Sequence, residues 1–196
     1  MPWPWPASPG LAGIDYAARV LRLSRPVVDG LGTVVRLGLA TVFLVSGALK
    51  VIDPAQTRVA VTAYELLPPD LIGPVATTLP LVELALGTLL LAGAFTRWIA
   101  LASGLLLLVL IAGMAQAWAR GLSIDCGCFG GGGAVPQGST QYPQELARDL
   151  GFVLLALWLL LRPRTALSVD GWLRAKPDTG WGGAGYPAGR AGRNEL

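Results

Sequence analysis

The sequence predicts an all-α integral membrane protein, a bundle of four transmembrane helices with disordered N- and C-terminal tails. Two observations carry this. Hydrophobic residues make up 53% of the 196-residue chain and charged residues only 14%, where a soluble domain carries about a quarter; the mean hydropathy is +0.57. The charges also gather at the termini and in short gaps between apolar runs. Those runs are about 20 residues long, enough to cross roughly 30 Å of hydrocarbon.

Residues 1–30 form a Pro/Trp-rich N-terminal arm. It opens Met1-Pro2-Trp3-Pro4-Trp5-Pro6, where dense prolines remove amide donors and resist helix formation. It lacks the basic start and short apolar core of a secretory signal. Arg19, Arg22 and Arg25 follow among Val20, Leu21 and Leu23, a pattern that suits either a short interfacial helix or an unstructured basic segment. The first apolar run is Leu31–Ile52, with Arg36 and Lys50 near its two ends, placed to snorkel to opposite surfaces. The second is Leu71–Ala94. The third, Trp98–Trp118, carries tryptophan at both ends, as the aromatic belts of a bilayer favour.

The fourth span needs more argument, because its purely apolar part, Leu150–Leu161, is short. A helix starting at Pro143, a good first-turn residue, and ending at Leu161 would reach about 28 Å. Arg148 and Asp149 then fall in its outer third. The membrane domain thus covers residues 31–162. Residues 163–196, rich in Gly, Pro and Arg, read as a disordered tail. Small residues at Ala100, Gly104, Gly113 and Ala117 let neighbouring helices approach closely.

The net charge of +3 forms no nucleic-acid face, and its distribution reads as topology. Eleven of the Lys and Arg residues lie in the arm, the second gap and the tail, against four on the other side. Both termini are therefore expected in the cytoplasm of a bacterial plasma membrane, and the loop between the third and fourth runs outside it. The chain has no histidine, which excludes imidazole haem ligation and histidine acid–base chemistry. Two cysteines without histidine fall short of a structural zinc site, so no metal is expected.

Those two cysteines stand in Asp125-Cys126-Gly127-Cys128-Phe129-Gly130, in the loop expected outside, where disulfides persist. Gly127 gives the backbone freedom a tight ring needs. A Cys-Gly-Cys ring strains the usual disulfide geometry, and a strained disulfide suits exchange. A staple closing so short a loop gains little from chain entropy. A redox pair is thus favoured over a static loop clamp, metal binding or free buried thiols. Glu83 lies in the middle of the second run; a carboxyl there needs a cation or a proton. It reads either as a functional group, in a proton relay, a cofactor contact or an interhelical latch, or as a protonated carboxyl bonded to a neighbouring helix, with Arg148 as the expected charged partner. Lys50 closes the first helix, complementing its dipole, and Pro54 stops it.

Ser46-Gly47-Ala48-Leu49-Lys50 with Asp53-Pro54, Val82-Glu83-Leu84-Ala85-Leu86-Gly87, Cys126-Gly127-Cys128-Phe129-Gly130 and Arg148-Asp149 together resemble the methylamine utilisation protein MauE family, related to DoxX-like four-helix membrane proteins. The resemblance spans about residues 31–162. It implies maturation of a disulfide-rich exported client, the methylamine dehydrogenase small subunit in the methylamine system, alongside a thioredoxin-like exported partner. Cys126 and Cys128 become the candidate redox pair, supported by Gly127, Phe129, Gly130, Glu83, Lys50 and Arg148. No cofactor is predicted; a quinone acceptor is conceivable but nothing in the sequence supports one. The expected partners are the lipid bilayer, the thioredoxin-like protein and the client. Two other readings stand beside this one: a non-catalytic assembly or export factor with structural cysteines, and a solute or proton pathway through Glu83.

Overall fold

The computed structural model describes residues 10–128, 131–163, 165 and 168–175, with side chains from residue 27 to 172. It is mostly helical. Helix α1 runs Gly10–Ile52, α2 Pro54–Ala63, α3 Pro69–Ala92 and α4 Thr96–Ala119. Two short strands, β1 (Ile124–Asp125) and β2 (Gly133–Ala134), pair antiparallel across the cysteine loop. Helix α5 spans Tyr142–Leu161, and α6 spans Val169–Ala175.

Helix α1 packs on α3, α3 on α4, α4 on α5, and α5 back on α1, so the four long helices close a ring. Leu39, Phe43, Leu86, Leu90, Leu107 and Leu159 fill its centre. The outer faces are apolar as well: Val109 is 67% exposed and Leu154 65%. A bundle apolar inside and out is solvated by lipid. Three helical segments, Val27–Ile52, Pro69–Ala92 and Thr96–Ala119, are long and apolar enough to cross a membrane. The protein is a membrane protein.

Helices α1 and α3 approach each other closely, and two glycines permit it. A Cβ on Gly47 would meet Leu84 Cγ at 2.9 Å and Pro80 O at 3.0 Å; on Gly87 it would meet Leu44 Cγ at 2.8 Å. On the opposite side of the ring, Gly104 faces Ala156 of α5, and Ala100 and Ala117 are fully buried.

Several boundaries differ from expectation. The expected break between arm and first span is absent, because α1 begins at Gly10. Asp53 and Pro54 do more than stop α1: Asp53 accepts the backbone N–H of Gln56 at 2.9 Å, and Pro54 opens α2. This is the N-terminal signature of a helix, a capping carboxylate followed by proline. The tail expected from residue 163 contains α6. Asp170 of α6 accepts the N–H groups of Phe95 at 2.9 Å and Thr96 at 2.8 Å. It thereby caps α4, whose own N-cap residue, Phe95, offers no side-chain acceptor. Residues 1–9, 164, 166–167 and 176–196 lie outside the described residues.

Arg36 does not snorkel. It is 1% exposed, and its Nη1 donates to the carbonyls of Leu90 at 2.6 Å and Leu91 at 2.8 Å. The last carbonyls of a helix have no intrahelical partner, and a guanidinium satisfies them from within the bundle. These contacts put the start of the α1 span, the α3–α4 turn and α6 at one end. The end of α1, α2 and the cysteine loop occupy the other.

Candidate functional site

The cysteine loop folds back over the ends of α1 and α2. Gln56 Nε2 donates to Gly132 O at 2.6 Å, and Tyr64 Oη donates to Cys126 O at 3.0 Å. Tyr142, at the start of α5, receives Ile124 N–H at 3.2 Å and donates to Leu122 O at 2.7 Å. Gly127 adopts φ +68°, a left-handed conformation that residues with a side chain rarely hold. It turns the chain so that both cysteines point toward the bundle.

Both cysteines are free thiols. Cys126 is 9% exposed. Its Sγ accepts the backbone N–H of Cys128 at 3.4 Å and lies 3.7 Å from Arg148 Nη2. Hydrogen bonding from the Cys128 thiol, then that backbone N–H and the Arg148 guanidinium, lower the Cys126 thiol to about 6 against the opposing effect of burial. Cys128 is pushed the other way, above the ordinary thiol range, by its hydrogen bond to Cys126 and by burial. Of the two, Cys126 is the more readily ionised and Cys128 the less. Burial, followed by the neighbouring thiols, raises the Tyr64 phenol, which keeps it a donor to the loop.

Arg148 is held in turn by Asp149, its Nε donating to Oδ1 at 2.9 Å. Asp149 is buried. A cavity of about 240 Å³ adjoins both thiols, bounded by Leu49, Lys50, Thr57, Val61, Tyr64 and Leu110 among others. A much smaller void, about 20 Å³, connects Cys128 and Asp149 with Ser46 and Glu83.

Glu83 is paired, but not with Arg148. Lys50 Nζ lies 2.8 Å from Oε1 and 2.9 Å from Oε2 and donates to Ser46 Oγ at 2.6 Å; Ser46 donates to Glu83 Oε2 at 3.1 Å. The reason is helical geometry. Ser46 and Lys50, four residues apart, share the α1 face that Gly47 lets sit against α3. Arg148 enters from α5 at the depth of the loop and spends its guanidinium on Asp149 and Cys126.

The model of the methylamine utilisation protein MauE family matches residues 28–162, more than half of the chain. The chain belongs to the MauE family. No curated protein and no solved structure matched it. The MauE match takes in α1 from residue 28 onward, the whole of α2 to α5 and the whole cysteine loop.

Within this MauE domain, Cys126, Gly127, Cys128 and Arg148 meet in one place, while Lys50 and Glu83 form a second polar group just inside the bundle. Phe129 and Gly130 lie outside the described residues. Sequence reasoning missed Asp149 as the holder of Arg148, Ser46 as the third member of the ion-pair group, and Tyr64 as the fastening of the loop. It also counted only Cys and His as metal ligands. Asp125, Cys126 and Glu145 bring a thiol and two carboxylates within 4.8 Å of one another, a mixed donor set that such a count leaves out.

Proposed function

We propose that this MauE-family membrane protein is an accessory in the maturation of exported disulfide-containing proteins, of the methylamine utilisation type, acting by thiol–disulfide exchange through Cys126 and Cys128 with a thioredoxin-like partner. One observation supports it above the rest. Two donors, the Cys128 N–H and Arg148, converge on Cys126 Sγ, as stabilisation of a nucleophilic thiolate requires. Cys126 is the sulfur that enters the mixed disulfide, and Cys128 is the one that opens and closes the ring. Helix α5, with 20 residues packed along α4 and α1, supplies the fourth span at about 30 Å. The excess of Lys and Arg on the opposite end supports a position for the loop outside the cell membrane.

Cys128→Ser is expected to trap a mixed disulfide with the partner through Cys126, while Cys126→Ser traps none. If neither variant traps a partner and both support maturation fully, exchange is not the mechanism.

The burial of Cys126 favours a second reading, an assembly factor in which the thiols only shape the loop. It predicts that the double Cys→Ser protein still matures its client; loss of maturation at normal membrane levels counts against it. A solute pathway through Glu83 has less support, since the carboxylate is bound by Lys50 and Ser46 and the adjoining void is about 20 Å³.

A further inference from the structure

The exchange reading leaves the direction open: the pair could donate a disulfide to its client or remove one. The direction depends on which form of the pair the surroundings favour. A disulfide whose reduced form is stabilised is a stronger oxidant.

Three features of the site favour the reduced form, and the Asp125 and Glu145 carboxylates near the Cys126 sulfur oppose them. Arg148 Nη2 is 3.7 Å from Cys126 Sγ, and the Cys128 N–H is 3.4 Å from the same sulfur. The guanidinium does not reach this position unaided, because its Nε is fastened by the buried Asp149 carboxylate at 2.9 Å. A disulfide sulfur carries no charge and is a poor acceptor, so it gives up most of what these donors supply. Arg148 then keeps Asp149 and loses the thiolate.

We propose that Arg148, positioned by Asp149, stabilises the reduced Cys126–Cys128 pair selectively and so makes its disulfide an oxidant that donates a disulfide to a dithiol client. This rests on the exchange reading and gives it a direction. A client thiolate attacks the Cys126 sulfur; the S–S bond breaks and Cys128 departs, taking up a proton. The second client thiolate then attacks the client sulfur of the mixed disulfide, forming the client S–S bond and expelling Cys126 as the thiolate facing Arg148. Two electrons pass from the client sulfurs to the pair. Of the two client protons, one ends on Cys128 and the other in solvent. Cys126 is the better leaving group in the last step, since a thiol that ionises easily leaves faster. Arg148 touches the reacting sulfur, whereas Asp149 is a positioning residue.

The test is the equilibrium of the full-length protein in lipid nanodiscs with reduced and oxidised glutathione, read by mass-tag alkylation. A thiol ionising near 6 rather than near 9 favours the reduced form by roughly tenfold at pH 7, and Arg148 supplies part of that. Arg148→Gln is expected to shift the equilibrium toward the disulfide by about threefold to tenfold. Asp149→Asn is expected to shift it the same way by less, and Arg148→Lys to restore part of the loss. The differences should vanish below about pH 5, where the Cys126 thiolate is protonated in every variant. A pair that exchanges normally but whose equilibrium is unchanged in Arg148→Gln overturns this inference and leaves the exchange reading intact. A pair that exchanges with glutathione in no variant overturns both.

Discussion

Removing either partner of the Lys50–Glu83 pair is expected to destabilise the bundle strongly, and removing both far less. Lys50 Nζ sits 2.8 and 2.9 Å from the two carboxylate oxygens, and the side chains are 11% and 2% exposed. Breaking a buried pair by deleting one partner strands the other charge, at about 3–5 kcal/mol. For a chain of this size each kcal/mol moves Tm by about 2–4 °C. Lys50→Met or Glu83→Leu alone should therefore lower Tm by about 6–20 °C. The double variant leaves no stranded charge, and apolar replacement of a buried pair is often neutral; it should recover most of the loss. The assay is thermal melting of the purified protein in a fixed detergent, followed by fluorescence-detected gel filtration. A double variant that loses as much as the two single variants combined would show that Lys50 and Glu83 act independently, and the latch between α1 and α3 would be wrong.

Alkylation of Cys126 in the wild-type protein is expected to be half-maximal near pH 6. Its thiol is lowered, so the thiolate is present above that pH and is lost as pH falls through it; a midpoint near 9 would refute the electrostatic account of the site. Gly87→Ala should cost about 1–3 kcal/mol, because its Cβ would meet Leu44 Cγ at 2.8 Å and the Leu44 backbone N at 3.0 Å. An unchanged melting curve would mean that the helices separate without strain. Tyr64→Phe removes the donor to Cys126 O, worth about 1 kcal/mol. It should raise the Cys126 alkylation rate about fivefold while leaving its pH midpoint in place, and an unchanged rate would show that this bond does not hold the loop closed.

The long helices were legible because lipid imposes a length and a composition on any helix that crosses it: α3 and α4 fall within two residues of their apolar runs, and α5 within one residue of the helix expected from Pro143 to Leu161. Glu83 was legible as a group needing a partner. Its partner was not, because that depends on how α1 is rotated against α3, which Gly47 and Gly87 decide through contacts far apart in sequence. Ser46 and Lys50, spaced for one helical face, were the available signal. Asp53-Pro54 was read only as a stop, though the same two residues carry the start signal of α2. Helix α6 was hidden by the composition around it. Its role lies in Asp170 capping a helix some 75 residues away in sequence, and no local pattern encodes that. The cysteine pair was legible as a motif, but the inequality of its thiols was not, since Arg148 reaches Cys126 from another helix.

That inequality bears on how a buried thiol can take part in exchange. Cys126 is 9% exposed, so attack on it requires the loop to move, and the site divides accordingly. The parts that set the chemistry, Arg148 and Asp149, are on α5, fixed by its packing along α4 and α1. The parts that cover it are held by few bonds: strands of two residues each, the Gln56–Gly132 and Tyr64–Cys126 bonds, and the Tyr142 bonds to Leu122 and Ile124. Segments with few such fastenings open at low free energy while the core around them stays folded. A rigid helix bearing the cation and a lightly held loop bearing the sulfurs make opening and chemistry separable. Variants of Tyr64 should then change how often the thiol is reached, and variants of Arg148 what it does once reached. Neither class should disturb the Lys50–Glu83 latch that holds α1 to α3 beneath them.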